Sequence, residues 1–392
     1  MIVSYRRTWV ILLGLALGVA ISNGFARFAY GLILPAMRED LGWTYAQAGW
    51  INTANALGYV VGAFLTFLLI ARTGPARLFG SGIIATSLFL FLSGLTQDFW
   101  WLTLWRILTG VFGAPVFIAG GAMAATLFKD DPKRNALAIA LYFGGGGMGM
   151  ILSGATLPAL FDLHGAGTWP VAWLSLGIAS IICCPLCLWA VRQIDAAGPN
   201  VLQRVSLPIG AMRYQMIGYG LFATGYIVYL TFLGAWMRDL SATPALVSSV
   251  WITVGISIVV SPFVWKSVLA KSSSGMPLAS ATGVVASGTL LPIIMPTPAG
   301  LFLSACLFGI AVFVGPGAVT SFSRKNLPRE NWGRAVGLFT GIFAIGQTIG
   351  PVASGFIADA FGGIQFGFAA AGIVLILGAA ISLMQKPLIT DV

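Results

Sequence analysis

Two arginines lie inside apolar runs of the sequence, where a charge is costly. Arg27 lies deep in the first apolar run and Arg106 lies within the fourth. An ionisable side chain at membrane depth must face a cavity or a partner, so it marks a functional site by default. A guanidinium group binds carboxylate, sulfonate or phosphate through paired, charge-assisted hydrogen bonds. The two residues therefore predict an anion site; the alternative is that each binds backbone carbonyls as a structural tether.

Polar and aromatic side chains accompany these arginines at helical spacing. The first predicted helix carries such side chains at i, i+4 and i+7, which places them on one face. The candidate substrate-binding residues are Arg27, Arg106, Asn23, Tyr30, Asn52, Asn55, Tyr226 and Gln347. Helix packing is the alternative explanation for the aromatic members. Asparagines also serve interhelical hydrogen bonds, so a structural role is open for them as well.

The acidic residues are absent from the centres of the apolar runs. All 11 Asp and Glu residues lie at predicted helix ends or in loops. A proton-coupled exporter of cations usually places a carboxylate in its cavity, so buried arginines without a buried acid favour an organic anion as substrate. The alternative is a proton-driven exporter of drugs or other hydrophobic compounds. Predicted aromatic walls on the seventh and eleventh helices favour that alternative, and the missing carboxylate opposes it.

Other motifs that carry chemistry lack the context they need. Gly144, Gly146 and Gly149 satisfy G-x-G-x-x-G, but no strand precedes them and the flanks are apolar. His164 is the only histidine, and a metal site or catalytic dyad needs more ligands than that. No Walker-type sequence is present, which excludes ATP-driven transport by this chain alone. We therefore predict no enzymatic activity, no metal and no cofactor.

The hydropathy of the chain predicts an all-α membrane protein. Hydrophobic residues make up 58% and charged residues 8% of the 392, against roughly a quarter charged in soluble domains. A membrane-spanning helix needs about 20 apolar residues. The predicted spans are 9–37, 45–70, 76–96, 99–128, 135–160, 168–191, 214–237, 244–269, 277–296, 299–322, 334–358 and 364–385. The connections are too short for a water-soluble catalytic domain.

The basic residues cluster on alternate sides of the predicted spans. If the first helix begins inside the cell, 17 of the 21 Lys and Arg residues lie at cytoplasmic positions. The positive-inside rule then predicts that both termini are cytoplasmic. The formal charge of +10 thus reflects topology, and we predict no nucleic-acid partner.

The two halves of the sequence are related at a spacing of about 200 residues. The first and seventh helices end in MREDL and MRDL, and Leu102 and Gly110 of the fourth helix recur as Leu301 and Gly309 of the tenth. A parallel repeat of six helices is typical of one large transporter architecture. The predicted domains are an N-terminal six-helix bundle at 1–192, a cytoplasmic linker at 193–212 and a C-terminal six-helix bundle at 213–392.

Motifs in the helices and loops resemble those of the major facilitator superfamily (MFS). Arg106 and Gly110 begin a match to R-x-x-x-G-x-x-G-A in the fourth helix. Arg72 and Gly74 match the loop motif G-x-x-x-D-R-x-G-R-R, in which Ala71 replaces the aspartate. The string NGFARFAYGLILPAM, which begins at residue 23, further resembles the bacterial YbfB/YjiJ-like branch. The resemblance covers essentially the whole chain.

This resemblance implies a secondary transporter that works by alternating access, with two six-helix bundles related by a pseudo-two-fold axis around a central cavity. The residues that it implies for gating are Arg72, Gly74, Arg77, Gly110, Gly149, Gly350 and Pro351. The expected partners are a small-molecule substrate and the lipid bilayer, with a proton as candidate coupling ion. We expect a monomer in the bacterial cytoplasmic (inner) membrane.

Overall fold

Helices joined by short connections make up the computed structural model, which describes residues 5–128, 131–194, 207–328 and 331–388. The elements of the first half are α1 Tyr5–Val19, a π-helix Ala20–Phe28, α2 Tyr30–Leu41, α3 Tyr45–Thr73, α4 Pro75–Ser93, α5 Phe99–Ala124, α6 Pro132–His164, a 3-10 turn Ala166–Thr168 and α7 Trp169–Arg192. Those of the second half are α8 Arg213–Asp239, α9 Pro244–Lys271, α10 Met276–Ile294, α11 Pro298–Val312, α12 Val314–Asn326, α13 Trp332–Phe361 and α14 Ile364–Leu383. No strand occurs within these described ranges.

Twelve helical segments of the described chain are long and apolar enough to cross a membrane. The α1 helix, the π-helix and α2 together form one span, Arg6–Leu41, and α11 with α12 forms another, Pro298–Asn326. A helix satisfies its backbone hydrogen bonds internally, which lipid requires because it offers no alternative partner. The prediction of twelve spans is confirmed, and the predicted ends agree with the observed ones to within four residues.

Local sequence explains where several helices begin and end. Asp98 accepts hydrogen bonds from the backbone N–H groups of Trp100 and Trp101, at 3.0 and 2.9 Å, and so begins α5. Gly42 ends α2 with a left-handed backbone, φ +65°, a conformation that glycine adopts without steric cost. Proline at the first position of α4 lacks only an N–H that would have had no helical partner.

The helices group into two units. Unit 1 comprises Met1–Trp43, Trp50–Asn200 and Ala242–Gly255, and unit 2 comprises Thr44–Gly49, Val201–Ser241 and Ile256–Val392. Each unit thus contains most of one sequence half and a short segment of the other. The predicted domain boundaries at 192 and 213 stay a prediction, and residues 195–206 of the predicted linker lie outside the described residues.

In unit 2, two carboxylates hold the start of α3. Asp359, near the end of α13, accepts hydrogen bonds from the backbone N–H groups of Tyr45 at 2.9 Å and Ala46 at 2.8 Å. The hydroxyl of Tyr45 donates to Asp239, at the end of α8, at 2.8 Å. A carboxylate at a helix N-terminus satisfies orphan N–H donors and complements the helix dipole. The first turn of α3 is therefore fixed within unit 2.

The end of α9 is capped from α12, also within unit 2. The ammonium group of Lys325 donates to the carbonyl oxygens of Leu269, Ala270 and Ser272, at 2.7, 2.7 and 2.9 Å. The last carbonyls of a helix have no intrahelical partner, and a cation near them also complements the helix dipole. Lys325 thus fixes the connection between α9 and α10.

Candidate functional site

A π-helical segment interrupts the first span of unit 1. It covers Ala20–Phe28, all of whose residues are buried, and it closes with a bond from the N–H of Ala29 to the carbonyl of Gly24 at 2.8 Å. This bond spans five residues instead of four, which is the π-helical pattern and occurs frequently at functional sites. Among the predicted site residues, Asn23 and Arg27 both lie in this segment.

Close packing against α6 accommodates the wider turn. A Cβ atom placed on Gly24 would lie 2.6 Å from the Cα of Gly149, so only glycine fits at this crossing. The amide of Asn23 donates to the hydroxyl of Ser22 at 3.2 Å. Gly149, predicted as a gating residue, therefore has an observed packing function against the π-helix. Its part in gating stays a prediction.

Arg106 of α5 is enclosed by protein. Its side chain is 0% exposed, and its Nη2 donates to the carbonyl oxygen of Ala26 in the π-helix at 2.6 Å. The guanidinium carbon lies 4.8 Å from the centre of the Trp173 ring and 5.6 Å from that of Tyr30. These two rings stack at 17° with centres 6.3 Å apart. A cation over aromatic faces is attracted by the ring quadrupole, and more strongly when desolvated.

Arg27 lies next along the chain from the carbonyl that Arg106 binds. It is 4% exposed, and its guanidinium carbon lies 5.4 Å from the centre of the Tyr59 ring of α3. The charges of Arg27 and Arg106 are close enough to repel each other. We call Arg27, Tyr30, Tyr59, Arg106 and Trp173 the arginine cluster.

The packing of α3 against α5 holds the cluster together. The amide of Asn55 donates to the backbone carbonyl of Arg106 at 3.1 Å. Asn52, about one turn earlier on α3, is also buried. A Cβ on Gly110 would meet the carbonyl oxygen of Asn55 and lie 2.7 Å from the backbone nitrogen of Tyr59. Small residues at such crossings let transmembrane helices approach closely. Gly110 therefore has an observed packing function, and its gating function stays a prediction.

In unit 2, Tyr226 and Gln347 are neighbours. The Tyr226 hydroxyl donates to Oε1 of Gln347 at 3.4 Å. The Tyr226 ring stacks on Phe222 and on Phe343, with ring centres 5.3 and 5.4 Å apart. Tyr219 continues the stack, with its ring centre 6.0 Å from that of Phe222. We call Tyr219, Phe222, Tyr226 and Phe343 the aromatic stack.

The remaining gating candidates fall into two groups. Arg72 and Arg77 are exposed at either side of the turn between α3 and α4. Gly74, between them, has φ +79°, which disfavours any residue with a side chain. In unit 2, Gly350 of α13 packs on the carbonyl of Thr224, and Pro351 follows it. Their gating functions stay predictions.

A family profile described as "Uncharacterised MFS-type transporter YbfB" matches residues 19–383. The match includes the arginine cluster and the aromatic stack. The chain belongs to this MFS family. It is therefore a transporter and not an enzyme, and the resemblance that the sequence motifs indicated is confirmed.

Curated MFS-type relatives match over different shares of the chain. The Inner membrane transport protein YdhP of Escherichia coli K12 is 25% identical over 384 residues, which covers 93% of this chain and 94% of YdhP. The 3-(3-hydroxy-phenyl)propionate transporter of the same strain is 25% identical and covers 56% of this chain and 55% of its own length. The Chloramphenicol resistance protein of Streptomyces lividans is 29% identical over a match that covers 46% of this chain and 44% of that protein.

A solved structure shares the fold. The crystal structure of a bacterial homolog to the human lysosomal transporter Spinster has a TM-score of 0.74 and 16% identity, and the match covers 97% of both chains. The predicted fold class, an all-α membrane protein of twelve transmembrane helices with the MFS fold, is confirmed.

Sequence reasoning identified Arg27 and Arg106 in this MFS chain but missed Trp173 and the π-helix. Trp173 lies in an apolar run where tryptophan is unremarkable, so its sequence context carried no signal. The π-helix has a weak signal in the asparagine and glycine at 23 and 24, which are poor helix formers. The structure brings Arg27, Tyr30, Asn55 and Arg106 together in unit 1. Tyr226 and Gln347 are hydrogen-bonded to each other in unit 2.

Proposed function

We propose that the chain is a secondary active transporter that moves a small organic anion across the inner membrane by alternating access. The supporting observation is the pair of guanidinium groups in unit 1. Two like charges held out of water are costly, because each loses hydration and they repel each other. An anion that binds beside Arg27 offsets both costs with charge-assisted hydrogen bonds.

The location and composition of the pair agree with this proposal. Arg27 lies in the π-helix, together with Asn23, so a donor amide and a cation occur in one irregular segment. The sequence places all acidic residues at predicted helix ends or in loops, so the substrate itself would supply the negative charge. The named substrate of one relative, 3-(3-hydroxy-phenyl)propionate, is an organic acid of this kind. The name of YdhP supports an inner-membrane location.

A second candidate function is proton-driven export of drugs or other hydrophobic compounds. The aromatic stack of unit 2 supports it, because stacked rings bind flat apolar molecules through offset contacts. The match to the Chloramphenicol resistance protein points the same way. The two functions make opposite predictions for Arg27, because a neutral compound gains nothing from a guanidinium partner.

Ligand binding to the purified protein separates the two candidates. The probes are 3-(3-hydroxyphenyl)propionate and chloramphenicol, measured by thermal shift. At 100 times its dissociation constant a ligand adds about 2.7 kcal/mol of apparent stability. We expect the anion to stabilise the wild type and the variant Arg192→Ala, whose side chain is exposed at the end of α7. At the same concentration it should stabilise Arg27→Ala much less.

Uptake into proteoliposomes tests transport itself. Arg27→Ala should abolish uptake of the anion while the protein remains inserted. Stabilisation by chloramphenicol that is equal in Arg27→Ala and wild type, with no effect of the anion, would support the exporter and contradict the anion carrier.

The gating residues belong to the same proposal. We propose that Arg72, Gly74 and Arg77 form part of a cytoplasmic gate, and that the glycines of α6 and α13 let these helices bend or slide. Gly74 has φ 79° and ψ 153°, a backbone conformation that costs about 1–3 kcal/mol for a residue with a Cβ, so Gly74→Ala should distort the turn. We expect slower transport with unchanged ligand affinity. Transport at the wild-type rate in Gly74→Ala would contradict this assignment. The protein is proposed to act as a monomer, with a proton as coupling ion.

A further inference from the structure

The two arginines of the cluster have different surroundings. Arg106 is fully buried near the rings of Trp173 and Tyr30, and one of its nitrogens donates to the carbonyl of Ala26. Its guanidinium thus contacts two aromatic rings and, at Nη2, the backbone. Arg27 is 4% exposed and lies over the ring of Tyr59.

The carbonyl that Arg106 binds belongs to the residue before Arg27. It lies within the π-helix, whose wider turn is less regular than the α-helices on either side. A hydrogen bond to a charged donor stabilises such a backbone position more than a neutral one does. The position of the Arg27 backbone therefore depends on Arg106.

Helix α3 closes the network from the other side. Asn55 binds the backbone carbonyl of Arg106 at 3.1 Å, and Tyr59, about one turn further along, carries the ring beneath Arg27. The contacts run from α3 to α5, from α5 to the π-helix, and from the π-helix back to α3. Such a closed circuit fixes the position of Arg27 relative to Tyr59.

We propose that Arg106 is a positioning residue: it holds the π-helix through the Ala26 carbonyl, so that Arg27 is presented to the anion. This inference rests on the proposed function, in which Arg27 contacts the substrate. The competing assignment is direct binding of the anion by Arg106, whose Nε and Nη1 are buried and have no hydrogen-bond partner among the described residues.

Hydrogen exchange tests the positioning without any ligand. In detergent-solubilised protein, the amides of residues 20–29 should exchange about 10-fold faster in Arg106→Ala than in wild type, as expected for the loss of one charge-assisted bond. Arg106→Lys keeps a donor for the Ala26 carbonyl and should restore much of the protection. The control Arg192→Ala, whose side chain is exposed at the end of α7, should exchange like wild type.

A double-mutant cycle tests the link to binding, with 3-(3-hydroxyphenyl)propionate as probe. If Arg106 acts through Arg27, the double variant Arg27→Ala/Arg106→Ala binds no more than about 2-fold more weakly than Arg27→Ala, because contacting or coupled residues are not additive. If Arg106 contacts the anion itself, its removal lowers affinity in both backgrounds, and Arg106→Lys does not rescue it.

The outcomes separate this inference from the proposed function. Unchanged exchange in Arg106→Ala overturns the positioning assignment whatever the probe does, and an additive cycle overturns it as well. If exchange is faster in Arg106→Ala but the wild type does not bind the probe, the result counts against the anion carrier and still supports the stabilisation of the π-helix by Arg106. If Arg106→Ala does not fold, Arg106→Lys carries the comparison. Retained protection and retained affinity are expected, and retained protection with lost affinity would contradict the positioning assignment.

Discussion

Gly110→Ala is expected to separate α3 from α5 and to weaken the arginine cluster. A Cβ atom at this position would lie 2.7 Å from the backbone nitrogen of Tyr59 and closer still to the carbonyl oxygen of Asn55. Both neighbours are backbone atoms, so neither can rotate away. Because ordinary Cβ contacts begin at 3.4 Å, relief of the Tyr59 contact alone requires the two helices to move apart by about 0.7 Å, and the closer Asn55 oxygen requires more.

That separation has a calculable cost. It lengthens the hydrogen bond from Asn55 to the carbonyl of Arg106 from 3.1 Å to at least about 3.8 Å, beyond hydrogen-bond range. Overpacking costs about 1–3 kcal/mol, and the lost interhelical bond adds about 0.6 kcal/mol. The better helix propensity of alanine offsets about 1 kcal/mol. The net destabilisation is roughly 0.5–2.5 kcal/mol.

Gly113→Ala is a matched control, because Gly113 lies on the same helix and is also buried. The nearest atoms to a Cβ there belong to Ser22, at 3.6 and 3.7 Å, which are ordinary contacts. This variant should gain up to about 1 kcal/mol from helix propensity. Equilibrium unfolding in mixed micelles, followed by tryptophan fluorescence, measures both variants. The packing argument fails if Gly110→Ala is as stable as Gly113→Ala.

Three further predictions concern other parts of the chain. Asp359→Asn should destabilise unit 2 by about 1 kcal/mol, because the cap at the start of α3 is weakened. The control Asp162→Asn, at an exposed helix end, should leave stability unchanged, and equal unfolding midpoints for the two variants would contradict this prediction. Lys325→Met should cost about 1–3 kcal/mol, because three carbonyls of α9 and its connection lose their donor, with exposed Lys266→Met as control in the same assay. A fluorescent-protein fusion at the C-terminus should fluoresce in cells, because the positive-inside rule predicts that this terminus is cytoplasmic; a dark fusion that is present in the membrane would refute the predicted topology.

The twelve spans could be predicted because lipid imposes a local rule. Each span must bury its own backbone polar groups in a helix and present apolar side chains along about 20 residues, so hydropathy within one segment is sufficient. The repeat and the motifs then indicated the fold. Two short segments, Thr44–Gly49 and Ala242–Gly255, group with the unit that contains most of the other sequence half. This grouping could not be predicted, because it depends on tertiary contacts such as the hydrogen bonds from Tyr45 and Ala46 to Asp359.

The candidate site shows the same division between local and tertiary information. A charge in an apolar run is visible in sequence, which is why Arg27 and Arg106 were both singled out. Their surroundings are not visible, because the partners of Arg106 come from the π-helix, α2 and α7. The wide turn of the π-helix needs Gly24 against Gly149 and a donor for the Ala26 carbonyl, neither of which local propensity records.

The cost of burying charge explains why the two arginines differ. A guanidinium without water must be matched by oxygens or aromatic faces, and Arg106 obtains both from protein: the Ala26 carbonyl and the rings of Trp173 and Tyr30. Once so matched, it adds a fixed positive charge near Arg27. Without an anion, repulsion between the two guanidinium groups raises the energy of the cluster. When an anion binds, the charge of Arg106 attracts it and lowers the energy of the complex. Arg106 therefore favours anion binding at Arg27 through the field as well as through the backbone, and a neutral substitute that kept the Ala26 bond would restore only the second effect.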